Sequence, residues 1–384
     1  MTESHFAAAA PLDSVPRQHL PNSDDFLMWP PCLQSYGYRI VDKLFATRVI
    51  RHGQAKALPR GREIRVPIEQ FMDHNNVAGL LVLRDGRVVL EHYGLGLLPE
   101  ERWSTMSTVK SMTSMLVGAA VHDGSIASID DPIVRYLPQL EASAYHQVTV
   151  RHLMTMSSGV QWSEMYGDRN SDVNHYSRSL AGKVPGGVLR LMKGLARAEA
   201  PGTTWCYNTG DTYLLGAVVS AATQRTLADY MSARIWQPCG MEFDAYYTLE
   251  SEGGQEIGGS RAGMALRDIG RFALFVMNDG VVDNERVLPT GWVDAASARA
   301  FELPDDPHAQ NRSALGLTGY GYSWWLDDDG GMFALGHCGQ RVYIHRARRL
   351  AVVQLAVYPE PRYASANEPN RDEALSQLIQ ELRN

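Results

Sequence analysis

Lysine is scarce in this chain of 384 residues: only Lys43, Lys56, Lys110, Lys183 and Lys193 contribute to its 36 basic side chains. With 43 acidic residues the formal charge is −7, and no basic patch stands out, which argues against nucleic acid as a partner. Cysteine is also sparse. Cys32, Cys206, Cys239 and Cys338 are widely spaced, with no C-x-x-C pair and no zinc spacing, so buried free thiols in a reducing compartment are expected. No stretch approaches the ~18 apolar residues that a membrane helix needs. Residues 1–21 lack a basic region followed by a long apolar one, so no secretory signal is read and the expected address is cytoplasmic. The G-x-S-x-G elbow is missing; its nearest approach, Gly258-Gly259-Ser260-Arg261-Ala262, lacks the final glycine. H-E-x-x-H, the phosphate-binding G-x-x-x-x-G-K-[ST] loop and the EF-hand loop are missing too, so neither a metal nor a cofactor is expected.

The 45% of hydrophobic residues is enough for a large core, in one large domain or two interlocked ones. Residues 1–60 are rich in Pro, His and Arg and read as an irregular N-terminal extension packed on the core. Residues 77–83 and 88–93 flank Asp85-Gly86, which predicts a hairpin. Apolar residues at helical spacing predict a helix over 107–122, ended by Asp123-Gly124. Further helices are expected at 150–156, 187–196, 211–222, 267–278, 290–300 and 372–382, and strands at 332–335, 341–345 and 350–358. Strands near both ends with helices between them predict an α+β fold: one antiparallel sheet built from 61–125 and 255–384, with a mainly helical domain, 126–254, inserted.

Three motifs carry candidate chemistry. In Ser107-Thr108-Val109-Lys110 the lysine follows the serine by one helical turn, so its amine can lie beside the hydroxyl. Serine is a weak nucleophile that needs a base, and lysine serves when burial favours its neutral form. The same tetrapeptide also fits an N-cap serine with a solvated lysine, but Lys110 enters the apolar run 112–121, where a solvated lysine is less natural. Tyr207, in the turn-rich segment 201–210, would present a phenol from a loop; a half-buried packing role is the plainer alternative. Gly336-His337-Cys338-Gly339-Gln340 lies between two strand runs, where glycines allow close approach of a substrate and a backbone N–H can face an oxyanion. An ordinary Gly-rich hairpin explains that segment equally well, and a structural role suits the His337 ring better than a catalytic one.

Taken in order, the three motifs resemble those of the serine β-lactamase and penicillin-binding superfamily, and within it the 6-aminohexanoate-dimer hydrolases and class C-like esterases most. The resemblance runs from about Asp25 to the C-terminus and includes Asp131-Pro132, Tyr136-Leu137-Pro138, residues 150–154, Pro201-Gly202-Thr203 and residues 322–325. It implies a β-lactamase/transpeptidase-like fold with an antiparallel sheet flanked by helices. It implies Ser107 as the acylated nucleophile, Lys110 as the group that holds its hydroxyl and relays protons, and Tyr207 as the base that later protonates the leaving group. The backbone N–H groups of Ser107 and His337 would form the oxyanion hole; comparison with the lactamase K-T-G motif places Gln340 there instead. Tyr166 matches a lid tyrosine that binds the substrate amide, and Gly336 and Gly339 would border the substrate.

Departures from the pattern narrow the expectation. Tyr207-Asn208-Thr209 stands where lactamases of this type have Tyr-x-Asn, the third motif has no lysine, and Lys183 stands near the place of a lid tryptophan. The expected activity is hydrolysis of small esters, and of linear amides such as 6-aminohexanoate oligomers, through an acyl-enzyme. A β-lactamase or D-amino-acid peptidase is the alternative enzyme, and a catalytically inactive penicillin-binding-like sensor is the alternative from another class. The expected partner is a small molecule, without nucleic acid or membrane, and a homodimer is the assembly considered.

Overall fold

The computed structural model describes residues 20–64, 67–304, 310–359 and 371–383, without the side chains of 310 and 311. Its centre is an antiparallel sheet of eight strands. In spatial order these are Arg87–Tyr93, Val77–Arg84, Leu350–Ala356, Gln340–His345, Gly331–Gly336, Trp325–Asp327, Leu317–Tyr320 and Phe301–Glu302. The first hairpin turns at Asp85-Gly86, both at positive φ (52° and 75°), the backbone that a tight turn between right-twisted strands requires. Leu350–Ala356 is buried at every residue and Val77–Arg84 at all but the last. Such unbroken burial, instead of in/out alternation, means that both faces of these strands are covered. Leu266–Met277 packs on Val77–Arg84, Gln340–His345 and Leu350–Ala356, and Arg371–Arg383 also packs on Leu350–Ala356. The sheet therefore joins strands from residues 77–93 to strands from residues 301–356, and its antiparallel order with helices packed on it agrees with the expected fold class. Among the described residues no helix is long and apolar enough to cross a membrane.

Asp372 ties that last helix to the sheet. Arg341 donates from Nε to Asp372 Oδ1 (2.9 Å) and from Nη2 to Oδ2 (2.8 Å), with both side chains under 5% exposed. The same guanidinium donates through Nη1 to the Gly336 carbonyl (2.6 Å), at the edge of the third motif. Removing the carboxylate strands a buried cation. Asp372→Ala should therefore cost about 3–5 kcal/mol, read as a lowered midpoint in chemical denaturation.

Several elements differ from expectation. Residues 20–50 are not irregular: they form helices Pro31–Gly37 and Val41–Leu44 and strand Thr47–Ile50, and they bury Phe26, Trp29, Tyr38 and Phe45. Each piece is too short to show a period, and aromatic packing holds them, with Phe26 and Trp29 ring centroids 4.7 Å apart. Residues 1–19 lie outside the described ones. Thr47–Ile50 belongs to a second, four-stranded sheet with Ala245–Thr248, Gly263–Met264 and Trp103–Ser104, which the sequence reading did not contain. Helix Asp172–Ala181 was also missed, although its N-cap Ser171 accepts from Asn174 N as capping serines do. The helix expected over 290–300 shrinks to Trp292–Ala296, because Phe301–Glu302 is drawn into the sheet edge. All four cysteines are free, but Cys32 and Cys206 are exposed; only Cys338 is fully buried.

Candidate active site

The second sheet delivers the serine. Trp103–Ser104 pairs with Gly263–Met264, and Thr105 N donates to Ala262 O (2.7 Å). Met106 then takes φ +48°, a left-handed backbone that costs a non-glycine residue of order 1 kcal/mol and is held by burial. Ser107 follows in a single 3-10 turn that runs into the helix Val109–His122. Every residue from Val109 to Ala120 is buried, so this helix crosses the interior and Lys110 is buried with it.

Lys110 Nζ donates to Ser107 Oγ (2.9 Å), Thr209 Oγ1 (3.0 Å) and the Gly259 carbonyl (2.6 Å), which accounts for the three protons of an ammonium. Burial pushes its pKa down from the usual lysine value to about 8; the nearby Glu164 carboxylate opposes the shift and the Arg261 guanidinium adds to it. A side chain placed on Gly259 would meet the Thr209 carbonyl at 3.0 Å, so the bare backbone there is what lets this loop reach both the helix end and the lysine.

Tyr207 comes from the loop before helix Thr209–Thr223. Its ring lies 5.1 Å from Lys110 Nζ and against Trp325 (centroids 5.3 Å apart), with Trp205 and Tyr320 beyond. Asn208 is the cap of that helix, its side chain accepting from Asp211 N (3.1 Å). The residue two places after the tyrosine is Thr209, and its hydroxyl is the one that meets Lys110.

The third motif is a tight turn, His337–Gly339, between Gly331–Gly336 and Gln340–His345. A Cβ on Gly336 would lie 2.7 Å from the Thr105 carbonyl, so the strand end presses on the segment that carries Ser107. Gly339 has φ +99° and no room for a Cβ beside Tyr358. The close approach that these two glycines permit is thus to Thr105 and to Tyr358. Gln340, the alternative oxyanion residue, is a buttress: its amide donates to the carbonyls of His337 (2.9 Å) and Ala356 (2.9 Å), and its oxygen accepts from Trp103 Nε1 (3.0 Å). The His337 ring donates from Nε2 to Leu27 O (2.9 Å) and stacks on Tyr166, centroids 4.5 Å apart. Tyr166 OH donates to Glu164 Oε1 (2.9 Å). Lys183 is half-exposed and paired with Glu252 (2.9 Å).

The beta-lactamase family model matches residues 67–376, which span all three motifs. The chain belongs to the beta-lactamase family. It is 26% identical over 309 residues to the 6-aminohexanoate-dimer hydrolase of Paenarthrobacter ureafaciens, covering 77% of each chain. It is 28% identical over 230 residues to the esterase EstB of Burkholderia gladioli, covering 56% of this chain and 52% of that one. Its fold superposes with TM-score 0.80 on a Bacillus anthracis protein assigned provisionally to the 6-aminohexanoate-dimer hydrolases, at 19% identity, covering 96% of this chain and 97% of that one.

In this beta-lactamase-family chain the sequence reading missed Thr209, Glu164 and the Gly259 carbonyl. Thr209 had a usable signal, being the polar residue two places after the tyrosine of the second motif. Glu164 had none: it is one of 43 acidic residues, 45 residues before Thr209, and its partners are chosen by folding. Arg261 was noted only as part of a failed elbow motif. It is buried beside Phe26 (4.6 Å), and it donates to Ser177 Oγ (2.6 Å).

Proposed function

We propose that this chain is a serine hydrolase that acylates Ser107 with small carboxylic esters, and takes linear amides as a second substrate class. The observation that carries the reading is the 2.9 Å contact from Lys110 Nζ to Ser107 Oγ in a buried site, with the Tyr207 ring on the same amine. The direct contact moves the base role from Tyr207, where the resemblance put it, to Lys110: in the first half-reaction the Ser107 proton passes to neutral Lys110 as Oγ bonds to the substrate carbonyl carbon. The carbonyl π pair moves to oxygen, facing the Ser107 and His337 N–H groups. Collapse breaks the bond to the leaving group, which takes the Tyr207 hydroxyl proton while the Lys110 ammonium gives its extra proton to the Tyr207 oxygen, so that both groups return to their neutral forms. Water repeats the cycle on the acyl-enzyme. The names of the esterase and dimer-hydrolase relatives support this substrate range, and the third motif, in the segment Gly336–Gln340, has no lysine to hold the carboxylate of a β-lactam. A cytoplasmic address belongs to the same reading and is supported by the exposed free thiols of Cys32 and Cys206.

The test is turnover of p-nitrophenyl butyrate, an aminohexanoate dimer and a chromogenic cephalosporin, each with Ser107→Ala as control. Ser107-dependent ester hydrolysis is expected to be fastest. Turnover of the cephalosporin alone would reverse the order and make the chain a β-lactamase.

A further inference from the structure

Glu164 lies one hydrogen bond beyond the lysine. Its Oε1 accepts from Thr209 Oγ1 and from Tyr166 OH (2.9 Å); its Oε2 accepts from Thr209 N (3.1 Å) and from Trp162 Nε1. Each of these four partners is an N–H or O–H donor, and an ionised carboxylate has no proton to give, so the Thr209 hydroxyl is the donor between the two. A threonine hydroxyl has one proton. With that proton directed at Glu164, Thr209 Oγ1 can only accept from Lys110, and the Gly259 carbonyl can only accept as well. A neutral lysine amine has two N–H bonds and one lone pair. If both N–H bonds are committed to Thr209 and Gly259, the lone pair is available to Ser107 Oγ–H, 2.9 Å away.

We propose that Glu164 is a positioning residue for the catalytic lysine: by accepting the hydrogen bond that the Thr209 hydroxyl donates, it leaves Thr209 Oγ1 an acceptor toward Lys110 and so turns the lone pair of neutral Lys110 onto Ser107. The proposal rests on Lys110 acting as the base toward Ser107. In that step the Ser107 O–H bond breaks, its proton forms the third N–H of Lys110, and the oxygen pair attacks the carbonyl carbon. Without the carboxylate the threonine proton is free to point at the amine, and a lone pair turned to Thr209 is lost to the reaction. Glu164 also acts through charge. The groups that bear on Lys110 electrostatically are Glu164, which favours its ammonium form, and Arg261, which opposes it, with the Tyr207 ring against the amine. Asp211 on the neighbouring helix is held up at about 7 by burial, with a contribution from Glu164, and His337 and Tyr166 stack at the site edge.

The experiment is the pH dependence of kcat/KM for p-nitrophenyl butyrate in the full chain, for the wild type, Glu164→Gln, Thr209→Ser and Thr209→Val. In Glu164→Gln the carboxylate that favours the ammonium form is gone, so the lysine titrates lower and the rising limb moves to lower pH. Its plateau should fall about 10²-fold, the lower end of what general-base alignment contributes. Thr209→Ser should keep most of the wild-type rate, and Thr209→Val should lose as much as Glu164→Gln. A limb that stays in place in Glu164→Gln overturns the proposal, as does a Thr209→Val variant as fast as Thr209→Ser. If Glu164→Gln does not fold, the serine and valine variants decide alone. Equal hydrolysis by wild type and Ser107→Ala would remove the acyl-enzyme reading and the positioning role together; a Ser107-dependent enzyme with an unmoved limb removes only the latter.

Discussion

Ser107→Ala is expected to abolish covalent labelling by a fluorophosphonate and to lower ester turnover by on the order of 10⁴-fold or more. The change deletes one oxygen atom and nothing else. The strained residue in this turn is Met106, at φ +48°, and alanine at 107 neither relieves nor worsens it. Alanine also suits the start of a helix interior better than serine does. The loss is one hydrogen bond received from Lys110, worth about 1 kcal/mol, so the fold persists and Tm moves by a few degrees at most. Intact-mass analysis of folded protein reads the adduct directly. An adduct of equal yield in the variant would place the nucleophile elsewhere.

Lys110→Ala should cost about 10²–10⁴-fold in kcat/KM. The amine is the group in contact with the serine oxygen, and burial holds its pKa at about 8. In the proposed mechanism the reactive form is the neutral one. Activity in the wild type should therefore rise with pH to a plateau above about 8, and the variant should lose that limb as well as the rate. Arginine is no substitute, because a guanidinium stays charged at any working pH and offers no lone pair. Lys110→Arg is thus expected to be as slow as Lys110→Ala, measured under the same pH series. A Lys110→Ala enzyme near full activity would leave Tyr207 as the sole base and end the role given to the lysine.

The parts of the fold legible in the sequence are those with a local cause. Asp85-Gly86 specifies its hairpin because both residues tolerate positive φ, and the apolar run after Lys110 specifies a buried helix. The aromatic-rich stretch from Phe26 to Phe45 was read as irregular, because its elements are four to seven residues long and acquire their burial only from the rest of the chain. The two-residue strands Trp103–Ser104 and Gly263–Met264 have no sequence period at all, yet their pairing fixes where Ser107 sits.

The active site divides the same way. The spacing of one helical turn, which lets the Lys110 amine reach the Ser107 hydroxyl, was set by the sequence alone. What the amine is worth there was decided by the tertiary structure. Glu164, the Tyr207–Thr209 segment and Gly259 come from three separate places in the chain, and only folding closes them around Lys110. The physical reason is that desolvation and hydrogen-bond direction are properties of a surrounded atom, and the groups that surround this one lie 54 to 149 residues away along the chain.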